Sequence, residues 1–199
     1  MDTLSPDSPS ATPTVAELHR EADLALTAVV DALGSADWAG STPCDGWTAR
    51  DLLDHVISTE RQFLEGRGAD LGTAPDTGAD PAAAWHEHRA RIAPVVTDPE
   101  LLATAYDGYF GPTTVAETWE RFYVFDMVVH RWDLAQAIGR EERFTEGELD
   151  RLETALAAMG DAVYTTGVCR PGVEAPEGAD RQAVVLARLG RHASPGTEG

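Results

Sequence analysis

At four points along this chain a threonine with an acid three residues on stands at the head of a helical pattern: Thr14 with Glu17, Thr48 with Asp51, Thr114 with Glu117 and Thr145 with Glu148. The first N–H groups of a helix have no partner within it. Such a pair satisfies two of them reciprocally, the threonine oxygen capping one N–H and the acid reaching back to the other. Behind each pair runs a segment whose apolar residues recur at spacings of three and four, without sustained alternation. Most of the chain is thereby committed to helix, and an all-α domain is expected.

The first helix is expected from Val15 to Leu33, with Leu18, Ala22, Ala25, Val29 and Leu33 as its buried stripe and Gly34 as its stop. The second follows Thr48, carries Leu52, Val56, Thr59 and Phe63 on one face, and ends at Gly66 and Gly68. Asp80-Pro81 opens a third over residues 81–96, and Asp98-Pro99 opens a short one. Residues 108–112 read as a loop. The longest segment spans 115–138 and stops at Gly139; another follows Thr145 through Val163, and a last short one covers about 180–189. Four long helices with short or medium connections predict a four-helix bundle with additional short helices. Residues 1–13 read as a disordered leader, 14–190 as one helical domain, and 191–199 as a flexible tail.

Charge narrows the partners. The formal net charge is −19, and the 15 basic residues are scattered, so phosphate backbones are repelled and nucleic acid is not an expected partner. With no run of about 18 apolar residues and no basic-then-apolar leader, neither a membrane span nor a secretory signal is read, and a cytoplasmic location is expected. Cys44 and Cys169 are too few for a thiolate zinc site and form no CxxC pair, so each reads as a small buried hydrophobe. Any metal must then be held by imidazole and carboxylate.

Among six histidines, His19, His86, His88 and His192 read as solvated. His55, in LLDHVIS, and His130, in FDMVVHRWDLA, sit inside apolar helical segments where a polar group needs a partner. Asp126 precedes His130 by four residues, on the same helix face. Two readings stay open on these residues alone: a metal site, or a satisfied polar network in which Asp126 accepts from His130 or His55. His55 is the one inward-facing candidate for a third ligand.

The stretch Trp38 to Val56, WAGSTPCDGWTARDLLDHV, resembles the W-x(4)-PC-x-GW-x(3)-DL-x-x-H signature of the mycothiol-dependent maleylpyruvate isomerase metal-binding domain family, in the DinB-like superfamily. Asp126 to Gly139, DMVVHRWDLAQAIG, is similar to that family's D/E-x(3)-H-x-WDLA-x-A-x-G block. The resemblance implies a DinB-like four-helix bundle with one divalent metal held by His55, Asp126 and His130. It also implies that Trp47, Trp132 and Asp133 are packing and capping residues. Such a His/His/carboxylate set leaves a coordination position open; Zn²⁺ is the first choice, and Fe²⁺, Ni²⁺ or Mn²⁺ suit the same donors. The activity implied is a metal-dependent transferase or isomerase using a small-molecule thiol, mycothiol, and an electrophilic substrate. A non-catalytic metal- and ligand-binding module and a metal-dependent hydrolase are the alternatives. A complete maleylpyruvate isomerase is expected to carry a longer C-terminal domain than residues 167–199 supply. Tyr106, Tyr109, Tyr123, Arg121 and Arg131 are candidates to orient a carboxylate-bearing substrate, and a homodimer is left open.

Overall fold

The computed structural model describes residues 12–160, 164 and 171–192. The four capping boxes are all formed. Thr14, Thr48, Thr114 and Thr145 each accept from the N–H three residues on, while Glu17, Asp51, Glu117 and Glu148 reach back to the cap N–H. They open α1 (Val15–Val30), α2 (Ala49–Glu65), the short α5 (Val115–Thr118) and α7 (Glu146–Met159). Asp80 and Asp98, each followed by proline at the first helical position, open α3 (Pro81–Ile92) and α4 (Pro99–Leu102). Helix α6 spans Phe125–Ala137, and α8 spans Arg181–Arg188.

Helix α1 packs against α3 and α6, and α2 packs against the same two, so these four enclose the core; α7 lies on α6, and α8 on α7. Leu26, Leu52, Leu53, Leu64, Trp85, Ile92, Trp119 and Leu134 are fully buried between them. Each such side chain contributes about 1.5–3 kcal/mol of hydrophobic burial. The bundle therefore has a core of its own, independent of any ligand. Helix α6 ends as the sequence predicts: Gly139 takes φ +62°, and the N–H groups of Gly139 and Arg140 bond back to the carbonyls of Gln136 and Ala135.

Three local expectations are corrected. Residues 105–114 are a hairpin, β1 (Ala105–Gly108) antiparallel to β2 (Gly111–Thr114), where the sequence reads as a loop over 108–112. Its two strands are the only sheet among the described residues. The segment 115–138 is one continuous rod but not one α-helix: Trp119–Val124 forms a π-helical turn between α5 and α6. That wide turn lets Trp119 stack on Tyr123, ring centroids 4.8 Å apart, while Tyr123 meets Phe63 of α2 at 4.7 Å. Helices α1 and α3 also stop three to four residues short of the expected Leu33 and Val96. The leader at 1–11, Val163, Cys169 and the tail from 193 lie outside the described residues.

Candidate metal centre

His55 lies in the second turn of α2, and Asp126 and His130 lie on one face of α6 against it. The structure brings all three together: Asp126 Oδ2 is 3.4 Å from His55 Nε2, and Asp126 Oδ1 is 3.2 Å from His130 Nε2. Their donor atoms all lie within 4.8 Å of one another. His130 is buried, whereas the side chains of His55 and Asp126 are 30% and 31% exposed. The cluster is therefore closed on the bundle side and open on the other. Burial alone would raise the Asp126 carboxyl, but the His130 charge beside it outweighs that, with His55 adding to the effect, and holds it well below the ordinary carboxylate range. Burial pulls His130 down, yet Asp126 and then Asp133 more than compensate and raise it well above 6.5.

A second layer of residues fixes this arrangement. Asp133 sits 2.9 Å from His130 Nδ1, and Arg191, beyond the end of α8, grips both oxygens of Asp133 at 3.1 and 2.6 Å. An ionised carboxylate can only accept, so Nδ1 must carry the donated proton and Nε2 is directed at Asp126. Asp133 is fully buried, and its carboxyl stays low: burial raises it, but His130 and Arg191 lower it further. The loop before α2 completes the wall. Cys44 O accepts from Trp47 N–H across a turn in which Gly46 has φ +76°, a value that requires glycine. The turn sets the Trp47 ring 4.8 Å from His55 and 6.4 Å from His130.

The sequence of residues 19–135 matches the family described as mycothiol maleylpyruvate isomerase N-terminal domain. The chain belongs to this family. It is 28% identical to the uncharacterized protein Rv0738 of Mycobacterium tuberculosis (strain ATCC 25618 / H37Rv), over 71% of this chain and 78% of that protein. The uncharacterized protein Rv0036c of the same strain is 32% identical over 64% of this chain and 57% of its own length. No solved structure matches the chain.

Within this family member several site residues differ from their sequence reading. Asp133, expected to pack or cap, instead orients His130; the spacing of three between them was the available signal. Nothing local announced Arg191, which lies 58 residues away from Asp133. Cys44 is half-buried, not a core hydrophobe: its Sγ lies 3.5 Å from Asp133 Oδ2 and 3.6 Å from Arg191. Together with His130 and Asp133 it forms a second donor group that shares His130 with the first. Of the substrate-orienting candidates, Arg131 is consumed by Glu142 at 2.9 Å and Glu148 at 2.7 Å. Tyr109 stands exposed at the hairpin tip, Tyr106 bonds Thr118 at 2.6 Å, and Arg121 lines a different face of the rod. Tyr123 remains close, three residues before Asp126, its hydroxyl held protonated because burial raises its pKa.

His19 and His88 are not solvated. Both are buried, His88 against Glu60 at 2.7 Å and His19 accepting from Trp119 Nε1 at 3.3 Å. His86 and His192 are exposed, as read. None of the described helices is long and apolar enough to cross a membrane.

Proposed function

We propose that His55, Asp126 and His130 hold a divalent metal, Zn²⁺ in first place, and that the protein is a metal-dependent thiol transferase or isomerase using mycothiol. The observation that carries the reading is spacing. Ligand atoms held at about 2.0–2.1 Å from zinc in a tetrahedron lie roughly 3.3 Å from one another. Asp126 reaches His55 with one oxygen at 3.4 Å and His130 with the other at 3.2 Å, both near that edge length and longer than the 2.7 Å of the buried His88–Glu60 hydrogen bond. The residues present thus fit the ion that the family resemblance implies.

A divalent ion bound there supplies a site where a low-molecular-weight thiol is deprotonated to a nucleophile at neutral pH. The chain does the rest. Asp133 and Arg191 keep the His130 Nε2 lone pair turned to the cluster, and His55 and Asp126 leave their exposed side to the incoming thiol. Trp47 shields one flank from water. The protonated Tyr123 hydroxyl, about one turn along the rod from Asp126, is a candidate neutral donor for a polar group of the electrophile.

The test is protein purified without chelator or affinity nickel, analysed for metal by mass spectrometry and then screened for conjugation of mycothiol to a panel of electrophiles. A single divalent ion per chain, lost together with transfer in His130→Ala while helical content stays, supports the proposal. Full transfer by the metal-free variant overturns it. Binding of metal and thiol with no conjugation across the panel moves the assignment to a binding module.

A further inference from the structure

Just past the end of α2, the half-buried Arg67 folds back along the helix instead of turning to a carboxylate. Its guanidinium carbon lies 3.6 Å from the centre of the Phe63 ring and 4.2 Å from that of Tyr106, in the wedge between them. Nη1 donates to the Phe63 carbonyl at 3.0 Å, Nε is buried without a partner, and Nη2 makes no hydrogen bond to any described residue. The hairpin supplies the second ring. Tyr106 Oη donates to Thr118 at 2.6 Å, which pins β1 beside the rod.

Among the described residues Arg67 forms no ion pair, although the chain holds 34 acids. The acids around this end of α2 are engaged or point away. Glu65 binds Arg61, Glu60 binds His88, Asp70 accepts from the Gly72 N–H, and Asp107 takes the strand face opposite Tyr106. Glu117 and Glu120 of the rod turn toward α7. Aromatic rings thus strip water from the faces of this guanidinium and leave its planar edge to pair with an anion.

The edge lies on the strip that leads to the metal centre. His55, Thr59 and Phe63 recur every four residues on α2, and opposite them Asp126 meets His55 while Tyr123 meets Phe63. Thr59 and Tyr123 are half-buried, so solvent reaches the strip. The Tyr123 hydroxyl feels the charge of both Arg67 and Asp126. The eight residues from His55 to Phe63, at 1.5 Å each, set the Arg67 guanidinium about 12 Å from the triad.

Resting on the thiol-transferase reading, we propose that Arg67 is the carboxylate subsite of the metal centre and that the electrophile is an arene carboxylate. A zinc–sulfur bond takes about 2.3 Å of that span and an arginine–carboxylate contact about 2.8 Å, which leaves roughly 7 Å between sulfur and carboxylate oxygen. A benzene ring carrying the two groups para to each other fills it. Meta placement points the carboxylate off the line, and a flat ring suits a strip walled by Phe63, Tyr106 and Tyr123.

Calorimetric titration of the Zn²⁺-loaded full chain with 4-mercaptobenzoate, 3-mercaptobenzoate and thiophenol tests it. Each offers sulfur to the metal, and they differ in where, or whether, a carboxylate follows. 4-Mercaptobenzoate is expected to bind about tenfold or more tighter than either of the others. Arg67→Met, which keeps an apolar stem between the rings, should bring it down to the 3-isomer with thiophenol unchanged, and Arg67→Lys should keep part of the advantage. Equal binding of the two isomers by the parent chain, a comparison that needs no variant to fold, overturns the proposal and leaves the metal–thiol reading in place. So does an Arg67→Met chain that still prefers the 4-isomer. If none of the three thiols binds the loaded chain, the metal–thiol reading falls and the subsite with it.

Discussion

Two clusters of histidine and carboxylate share this bundle, and they are built differently. At the open end, His55 and His130 flank Asp126 at 3.4 and 3.2 Å, with two of the three side chains about a third exposed. In the core, His88 closes on Glu60 at 2.7 Å with both side chains almost wholly excluded from water. Around the core pair, Trp85 donates to Thr27 at 2.8 Å and Arg89 pairs with Asp23, so polar rungs tie α1, α2 and α3 together. The same residue types therefore serve two ends. Where the donors stand apart and reach solvent they are free to hold something else; where they touch and are sealed they hold the helices. Specific pairing in the core limits how α3 can slide between α1 and α2, since a shift would part Glu60 from His88, whose other polar atoms, Oε1 and Nδ1, have no partner among the described residues.

Removing one member of each cluster should separate the two roles most sharply. His88→Ala leaves the Glu60 carboxylate buried without its counter-group, and a loss of about 3–5 kcal/mol, or roughly 6–20 °C in Tm, is expected. His55→Ala, measured with chelator present, should fall within about 1 kcal/mol of the parent because its side chain is partly solvated. Its cost should appear instead as lost metal. Equal destabilisation by the two substitutions, read by thermal unfolding, would erase the distinction.

A smaller effect tests whether the open cluster is prearranged by the residues behind it. Asp133→Ala should weaken metal affinity about 10–100-fold, measured by competition with a chromophoric chelator, because the His130 ring loses the acceptor that fixes its Nδ1 proton. Asp133→Asn keeps an acceptor in place and should lose less. Since Arg191 depends on the same carboxylate, the alanine variant is also expected to melt earlier. If affinity falls equally in both variants, the orienting hydrogen bond is not what matters.

The features visible in the sequence were those decided within a few residues. The capping boxes at Thr14, Thr48, Thr114 and Thr145 depend on a spacing of three, and the Asp126–His130 pair on a spacing of four; both follow from helix geometry alone. His55 was a candidate from its apolar segment alone, but joining it to that pair needed the family resemblance, because it comes from another helix. The π-helical turn was hidden since it answers a tertiary demand, the packing of Trp119 and Tyr123 on Phe63. The hairpin was hidden because four-residue strands containing Tyr106, Gly108 and Pro112 carry little strand pattern. His19 and His88 read as solvated for a different reason: His19 stands off the apolar stripe of α1, and His88 flanks a polar face of α3. Yet His19, Asp23 and Thr27 recur every four residues, and that polar stripe faces inward to meet α3.

The inward stripe gives the last and smallest difference between the clusters, which is its sign with pH. Burial lowers the His19 pKa below the ordinary 6.5, and its Nδ1 must stay unprotonated to accept from Trp119. As pH falls below about 6.5 the unfolded chain takes up the proton first, so the folded state loses stability progressively down to the folded pKa. His130 has the opposite sign. Its pKa is raised by Asp126 and Asp133, so its contribution is fully present below 6.5 and is lost as pH rises toward its folded value. Metal-free protein unfolded thermally between pH 7 and pH 5.5 should therefore lose Tm on acidification through His19. His19→Gln should flatten that decline, while His130→Ala should steepen it, because the stability it removes is largest at the acid end. A decline untouched by His19→Gln would place the acid sensitivity outside the core stripe and remove the opposition in sign between the two clusters.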